Sequence, residues 1–130
     1  MKIYDEEQNL LVQIIKPSKN KESKNFYTSN EQEFQIASFK LNKSEVILRH
    51  YHEKQERKIN RTSEVIILNK GNILLTIYDL NLNKVEDILI EPGDIVAMFD
   101  GGHEMTIIED AEFIEVKQGP YDEQTDKTRF

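Results

Sequence analysis

The chain has 130 residues, with 17 basic and 24 acidic side chains, a formal net charge of −7, three histidines and no cysteine or tryptophan. That length predicts one domain with a real core, and the lack of cysteine excludes a disulfide framework, a thiolate metal site and a cysteine nucleophile. The acidic balance argues against a nucleic-acid partner, and no apolar run approaches the ~20 residues of a spanning helix, so no membrane partner is expected either.

The opening residues MKIYDEE carry no basic-then-apolar pattern, which makes a cytoplasmic location the expectation. Ile and Val together number 22 against three Ala, and β-branched side chains favour strands over helices. Asn9–Lys16 reads as a first strand, ended by Pro17, and Ser18–Asn25 reads as a polar loop. Glu33–Leu41 alternates, with Phe34, Ile36 and Ser38 on one face. Ser44–His52 reads as a third strand. Glu64–Asn69 and Asn72–Tyr78 flank the turn at Lys70-Gly71. Asp79–Lys84 turns the chain into Val85–Glu91. Pro92-Gly93 leads to Asp94–Phe99, and Gly101-Gly102 leads to His103–Glu109. Glu112–Lys117 is the last strand.

Roughly nine short strands without a sustained helical period predict an all-β sandwich or barrel. Runs such as Val65-Ile66-Ile67-Leu68 are apolar on both faces, so the outward face needs a cover. A second copy of the chain, making a homodimer, is the expected one. Residues 1–130 form one domain in this reading, with 1–8 and 119–130 as extended arms.

The histidines carry the chemistry. His50 and His52 leave one face of the third strand, and Arg49 then leaves the opposite face. His103 follows the Gly101-Gly102 turn. Imidazoles from two strands can converge in a barrel, and nitrogen ligands suit Fe, Mn, Ni or Zn when a carboxylate joins them. Taken alone, a strand His-x-His is more often a pair of half-exposed polar side chains facing water.

The wider pattern resembles the two-part motif of the cupin superfamily. In that motif a His-x-His is followed by a Glu, and then by a Gly after six more residues. A second part opens at Gly-Asp and reaches a His about ten residues later. Here the matching positions are His50, His52, Glu64 and Gly71, then Gly93-Asp94 and His103. The likeness spans Leu48 to Ile108 and implies a cupin fold, a double-stranded β-helix or jelly-roll barrel. It implies a divalent transition metal held by His50, His52, Glu64 and His103.

Two departures stand out. The segment Glu53–Ser63 separates His52 from Glu64, and Glu56 has the shorter, commoner spacing but no Gly at the matching distance. Glu64 is preferred because a strand would hold it rigidly. In the second part, Phe99-Asp100-Gly101-Gly102-His103 lacks the usual Pro and is one residue short. The tail patterns QGPY and DKTRF resemble those of small bacterial cupins, some encoded among surface-saccharide biosynthesis genes.

The segment after His52 is basic, with Lys54, Arg57, Lys58 and Arg61. Arg57 and Arg61 are the candidates to contact a small anionic ligand by bidentate pairing. Three functions follow as expectations. One is a metal-dependent cupin enzyme acting on a small anionic metabolite such as a sugar or sugar nucleotide. Another is a metal-free keto-sugar isomerase or epimerase, in which a strand histidine removes a proton and Tyr51 or Tyr78 returns it. The third is a non-catalytic ligand-binding module.

Overall fold

The computed structural model describes residues 1–130. It is all-β, with ten strands and one 3-10 turn. The strands are β1 (Lys2–Tyr4), β2 (Leu10–Ile15), β3 (Lys24–Phe26), β4 (Ala37–Phe39), β5 (Glu64–Lys70), β6 (Ile73–Tyr78), β7 (Lys84–Ile90), β8 (Ile95–Met98), β9 (Gly102–Ile107) and β10 (Glu112–Lys117). All pairings are antiparallel. A five-stranded sheet runs β1-β2-β8-β5-β10, a three-stranded sheet runs β7-β6-β9, and β3 pairs with β4 alone. No helix is long and apolar enough to cross a membrane.

The main core lies between the two larger sheets. Leu11, Ile14, Ile66, Leu68, Val96 and Met98 come from one, and Ile73, Leu75, Ile77, Ile88 and Ile90 from the other. Strand alternation explains this. Ile73, Leu75 and Ile77 are buried at every second position of β6, and only one face of that strand meets the core. Removing such rows from water is the main favourable contribution to folding.

Glycines make the turns. Gly71, with φ +77°, joins β5 to β6, and an added Cβ would collide with the Asp110 carbonyl. Gly101, with φ +71°, leads into β9, and its Cβ would meet the Tyr78 carbonyl. Asp94, buried, organises the turn before β8. Its carboxylate accepts from the Glu91 amide at 3.2 Å and from Lys16 Nζ at 2.7 Å. Hydrogen bonding to Asp94 holds the Lys16 ammonium above its ordinary pKa, against the opposing effect of burial.

From β5 onwards the strands fall where the sequence places them. Four expectations do not survive. Ser44–His52 forms no strand, and every residue from Phe39 to Thr62 is exposed. No backbone group from Val46 to Thr62 bonds to another backbone group. Its alternation is strand-like, but it lies against no sheet edge. Of Glu33–Leu41 only Ala37–Phe39 is strand. Phe34 and Ile36 instead pack with Val65, Ala97 and Phe99 on the outer face of the five-stranded sheet. The chain therefore covers by itself part of the apolar face that the sequence assigned to a second copy.

Within the supposed loop Ser18–Asn25, β3 begins at Lys24 because Lys24 pairs with Phe39. Finally, Leu10–Ile15 is not the first strand. Lys2–Tyr4 precedes it and pairs with it, with Ile3 buried opposite Val12.

Candidate functional site

Two inward-facing rows end in polar side chains at the same place. On β5, Ile66 and Leu68 are in the main core, and Glu64 shares their face at the start of the strand. On β9, Met105 packs on the main core, and His103 sits two residues earlier on that face, opposite the buried Ile77. The strands belong to different sheets, yet Glu64 Oε2 and His103 Nε2 are 3.4 Å apart. Both side chains are partly shielded, with 18% and 30% of their surface exposed.

Lys117 of β10 stands opposite Glu64 in the ladder. Its Nζ is 4.0 Å from Glu64 Oε1 and donates to Asp126 Oδ2 at 2.6 Å. It also lies 4.7 Å from the centre of the Tyr121 ring. The hydrogen bond to Asp126 raises the Lys117 pKa, and the charges of Asp126, Glu64 and Glu115 add to it, while burial opposes them. Lys117 therefore stays cationic and anchors the tail next to Glu64.

The tail folds back over this end of the molecule. Phe130 meets Tyr78 edge to face, with ring centres 5.1 Å apart. Beneath it is a cavity of about 1030 Å³ whose lining includes Glu64, His103, Tyr78, Met105, Arg129 and Phe130. Asp79, Asp100, Glu104 and Asp126 line it too, so with Glu64 the carboxylates outnumber the cations Lys127 and Arg129. Two of those carboxylates, Asp100 and Asp126, are paired with Arg61 and Lys117, so the surplus of negative charge is small.

Of the residues that the sequence nominated, Glu64, His103 and Tyr78 share this cavity. His50, His52, Tyr51, Glu56 and Arg57 do not; they lie on the exposed segment, and Tyr51 is 80% exposed. The two imidazoles there touch edge to face at 5.3 Å, and His50 Nδ1 is 2.9 Å from the Leu48 carbonyl. Arg57 donates only to Gln55, at 3.4 Å. Arg61 pairs with Asp100 at the rim of a second, polar cavity of about 610 Å³. Its side chain stays 57% exposed beside that carboxylate.

Nowhere do three His, Asp or Glu side chains come together as a ligand set. The structure thus brings together two of the four proposed ligands and leaves the other two on the segment before β5. Sequence reasoning did not single out Lys117, and it named Asp126 and Arg129 only within the tail pattern DKTRF. The alternation Phe113, Glu115, Lys117 is a signal for the first, since it places Lys117 on the face of Phe113, opposite the buried Leu68. The other two depend on a tail whose path is set by Lys117 and Tyr78. No protein-family model, curated protein or solved structure matches the chain.

Proposed function

We propose that the protein is a cupin-type metal-binding domain, with Glu64 and His103 as two ligands of a divalent transition metal and His50 and His52 as the others. The observation that carries this reading is the meeting of Glu64 and His103, from two sheets, at 3.4 Å beside a cavity rich in carboxylates. One imidazole nitrogen and one carboxylate oxygen are the donor types that Fe, Mn, Ni and Zn share. Two facing sheets enclosing one core are compatible with a barrel of that family. Bound there, the metal would act as a Lewis acid and supply the positive charge that a small anionic ligand needs. This chain's own contribution is to fix Glu64 at a strand end, to keep Lys117 charged beside it, and to shield the cavity with Phe130 and Tyr78. A sugar or sugar nucleotide is the ligand class we assign.

The test is titration of metal-stripped protein with zinc and with manganese. Tight binding of one ion per chain is expected, and Glu64→Gln or His103→Ala should weaken it by more than the ~10–100-fold that outer-shell losses cost. Failure to bind either metal, or unchanged binding in Glu64→Gln, would sink the proposal.

One observation favours a second reading. Two side chains meet here rather than three, and Tyr78 lines the same cavity. A carboxylate close to one imidazole nitrogen biases the ring's orientation and leaves the other nitrogen as a base. His103 held by Glu64, with Tyr78 as the acid, would suit proton transfer next to a keto group. Activity on keto sugars that survives chelation and is lost in His103→Ala would select this reading over the first.

A further inference from the structure

Strand β9 ends its sheet, so one of its two backbone edges is open. Ile107 lies on the inward face, opposite the buried Ile73, yet it is 51% exposed because no strand lies beyond it. The exposed segment Ser44–His52 alternates in the same way. Val46, Leu48, His50 and His52 fall on one face, and Glu45, Ile47, Arg49 and Tyr51 on the other. Val46, Ile47, Leu48 and Tyr51 are among the most exposed apolar side chains of the molecule. An open edge in a chain that also carries an unpaired apolar segment is a template for strand addition.

Charge and side-chain pattern decide the register. Antiparallel pairing of His50 with His103 sets Leu48 opposite Met105 and Val46 opposite Ile107 on the inward face. On the outward face it sets Arg49 opposite Glu104 and Ile47 opposite Thr106. On the inward face apolar residues then meet apolar residues, on the outward face Arg49 meets Glu104, and the histidines meet at the Glu64 end. Parallel pairing would instead bring Val46 to His103 and carry His50 away from it. A shift by one residue would turn the histidines to the outer face.

We propose that Ser44–His52 of one copy adds to the open edge of β9 in a second copy, so that a reciprocal dimer builds two composite sites. Each site then combines Glu64 and His103 of one chain with His50 and His52 of the other. The segment stands clear of its own body although both flanks are tied to it. Lys40 N donates to the Ser23 carbonyl at 2.7 Å, and Ser63 N donates to Gln118 Oε1 at 3.0 Å. A segment tied at both ends and unpaired between them, in a chain with an edge left open, suits exchange between copies. The role of the histidines rests on the metal-binding reading; the strand exchange does not.

The chain contains no cysteine, so an engineered pair reports unambiguously. Directly opposed residues on antiparallel strands lie within disulfide reach. In the double variant Ile47→Cys with Thr106→Cys, mild oxidation should convert most of the protein to a covalent dimer that reductant reverses. A link within one chain, or a dimer that fails to cross-link, overturns the exchange. So does unsubstituted protein that light scattering finds at the 15.3 kDa of one chain.

Charge reversal gives a second readout that needs no cross-link. Arg49→Glu and Glu104→Arg should each weaken dimerisation by about 5-fold per pair, and the two together should restore it. Equal loss in the double variant counts against the register. Titration with zinc alone separates the two readings. Cross-linked dimer that binds no zinc keeps the exchange and removes the metal site; zinc binding without cross-linking does the reverse.

Discussion

β5 and the segment Ser44–His52 are alike in sequence and opposite in fate. Both are rich in Val, Ile and Leu, with apolar residues on both faces. β5 is hydrogen-bonded on both sides, to β8 and to β10, and its Ile66 and Leu68 reach the core. The other segment is exposed throughout and pairs with nothing in its own chain. The difference teaches that β-branched, apolar composition makes a residue run eligible for a sheet, whereas an available edge decides whether it joins one. A strand's backbone groups need partners across a ladder, and those partners are distant in sequence.

The sharpest way to break the comparison is to truncate one side chain in each region. Ile66→Ala should lower stability by about 2–5 kcal/mol, because it leaves a cavity where the two sheets meet. Urea unfolding measures this directly. A loss below 1 kcal/mol would mean that the core is looser than it looks.

Next in size is Gly71→Ala, with an expected cost of about 1–3 kcal/mol from the left-handed backbone and the approach to the Asp110 carbonyl. The contrasting change is Leu48→Ala. In dilute protein it should shift the urea midpoint by less than about 0.5 kcal/mol equivalent. Its effect should grow with protein concentration, as partner binding stabilises by mass action. An effect as large as that of Ile66→Ala in dilute protein would show that the segment is already packed against its own body.

Limited trypsin digestion should cut first at Arg49, Lys54, Arg57, Lys58 or Arg61, all exposed, before any site in β5 to β10. Higher protein concentration should slow the cut at Arg49.

The smallest effect concerns pH. The Asp87 carboxyl is held below its ordinary 3.8 by hydrogen bonds from Lys84 and Thr76, and that of Asp79 by the Asn83 and Asn81 amides and the Asn83 side chain. A depressed folded value means that the unfolded chain takes up protons first as acid is added. These contributions are therefore present at neutral pH and vanish as the pH falls below 3.8 through the folded values. Asp87→Asn should flatten the acid limb of the melting temperature slightly. An unchanged acid limb would assign the loss to other carboxylates.

Much of the body was legible because its signals are local. Gly71 and Gly101 mark turns that only glycine tolerates, and the strands between them are short and regularly spaced. The preference for Glu64 over Glu56 also rested on local reasoning, since a strand position is fixed and a charged stretch is not. Glu64 does sit on a strand next to His103, and Glu56 is exposed. What stayed illegible was non-local. Nothing near Lys2–Tyr4 says that Leu10–Ile15 will turn back to pair with it, and nothing near Phe34 says that it will cover β5 and β8 from outside.

The sequence by itself determined the class of the molecule and the donors it can offer. Twenty-two Ile and Val residues against three Ala commit it to sheets, and three His with no Cys limit any metal to nitrogen and oxygen ligands. The tertiary structure alone decided which of these donors meet. Glu64 and His103 are 39 positions apart and come within 3.4 Å because two sheets share one core. His50 and His52 are nearer to Glu64 in sequence, yet stay apart from it within the chain, because the segment that carries them lies on no sheet edge of its own.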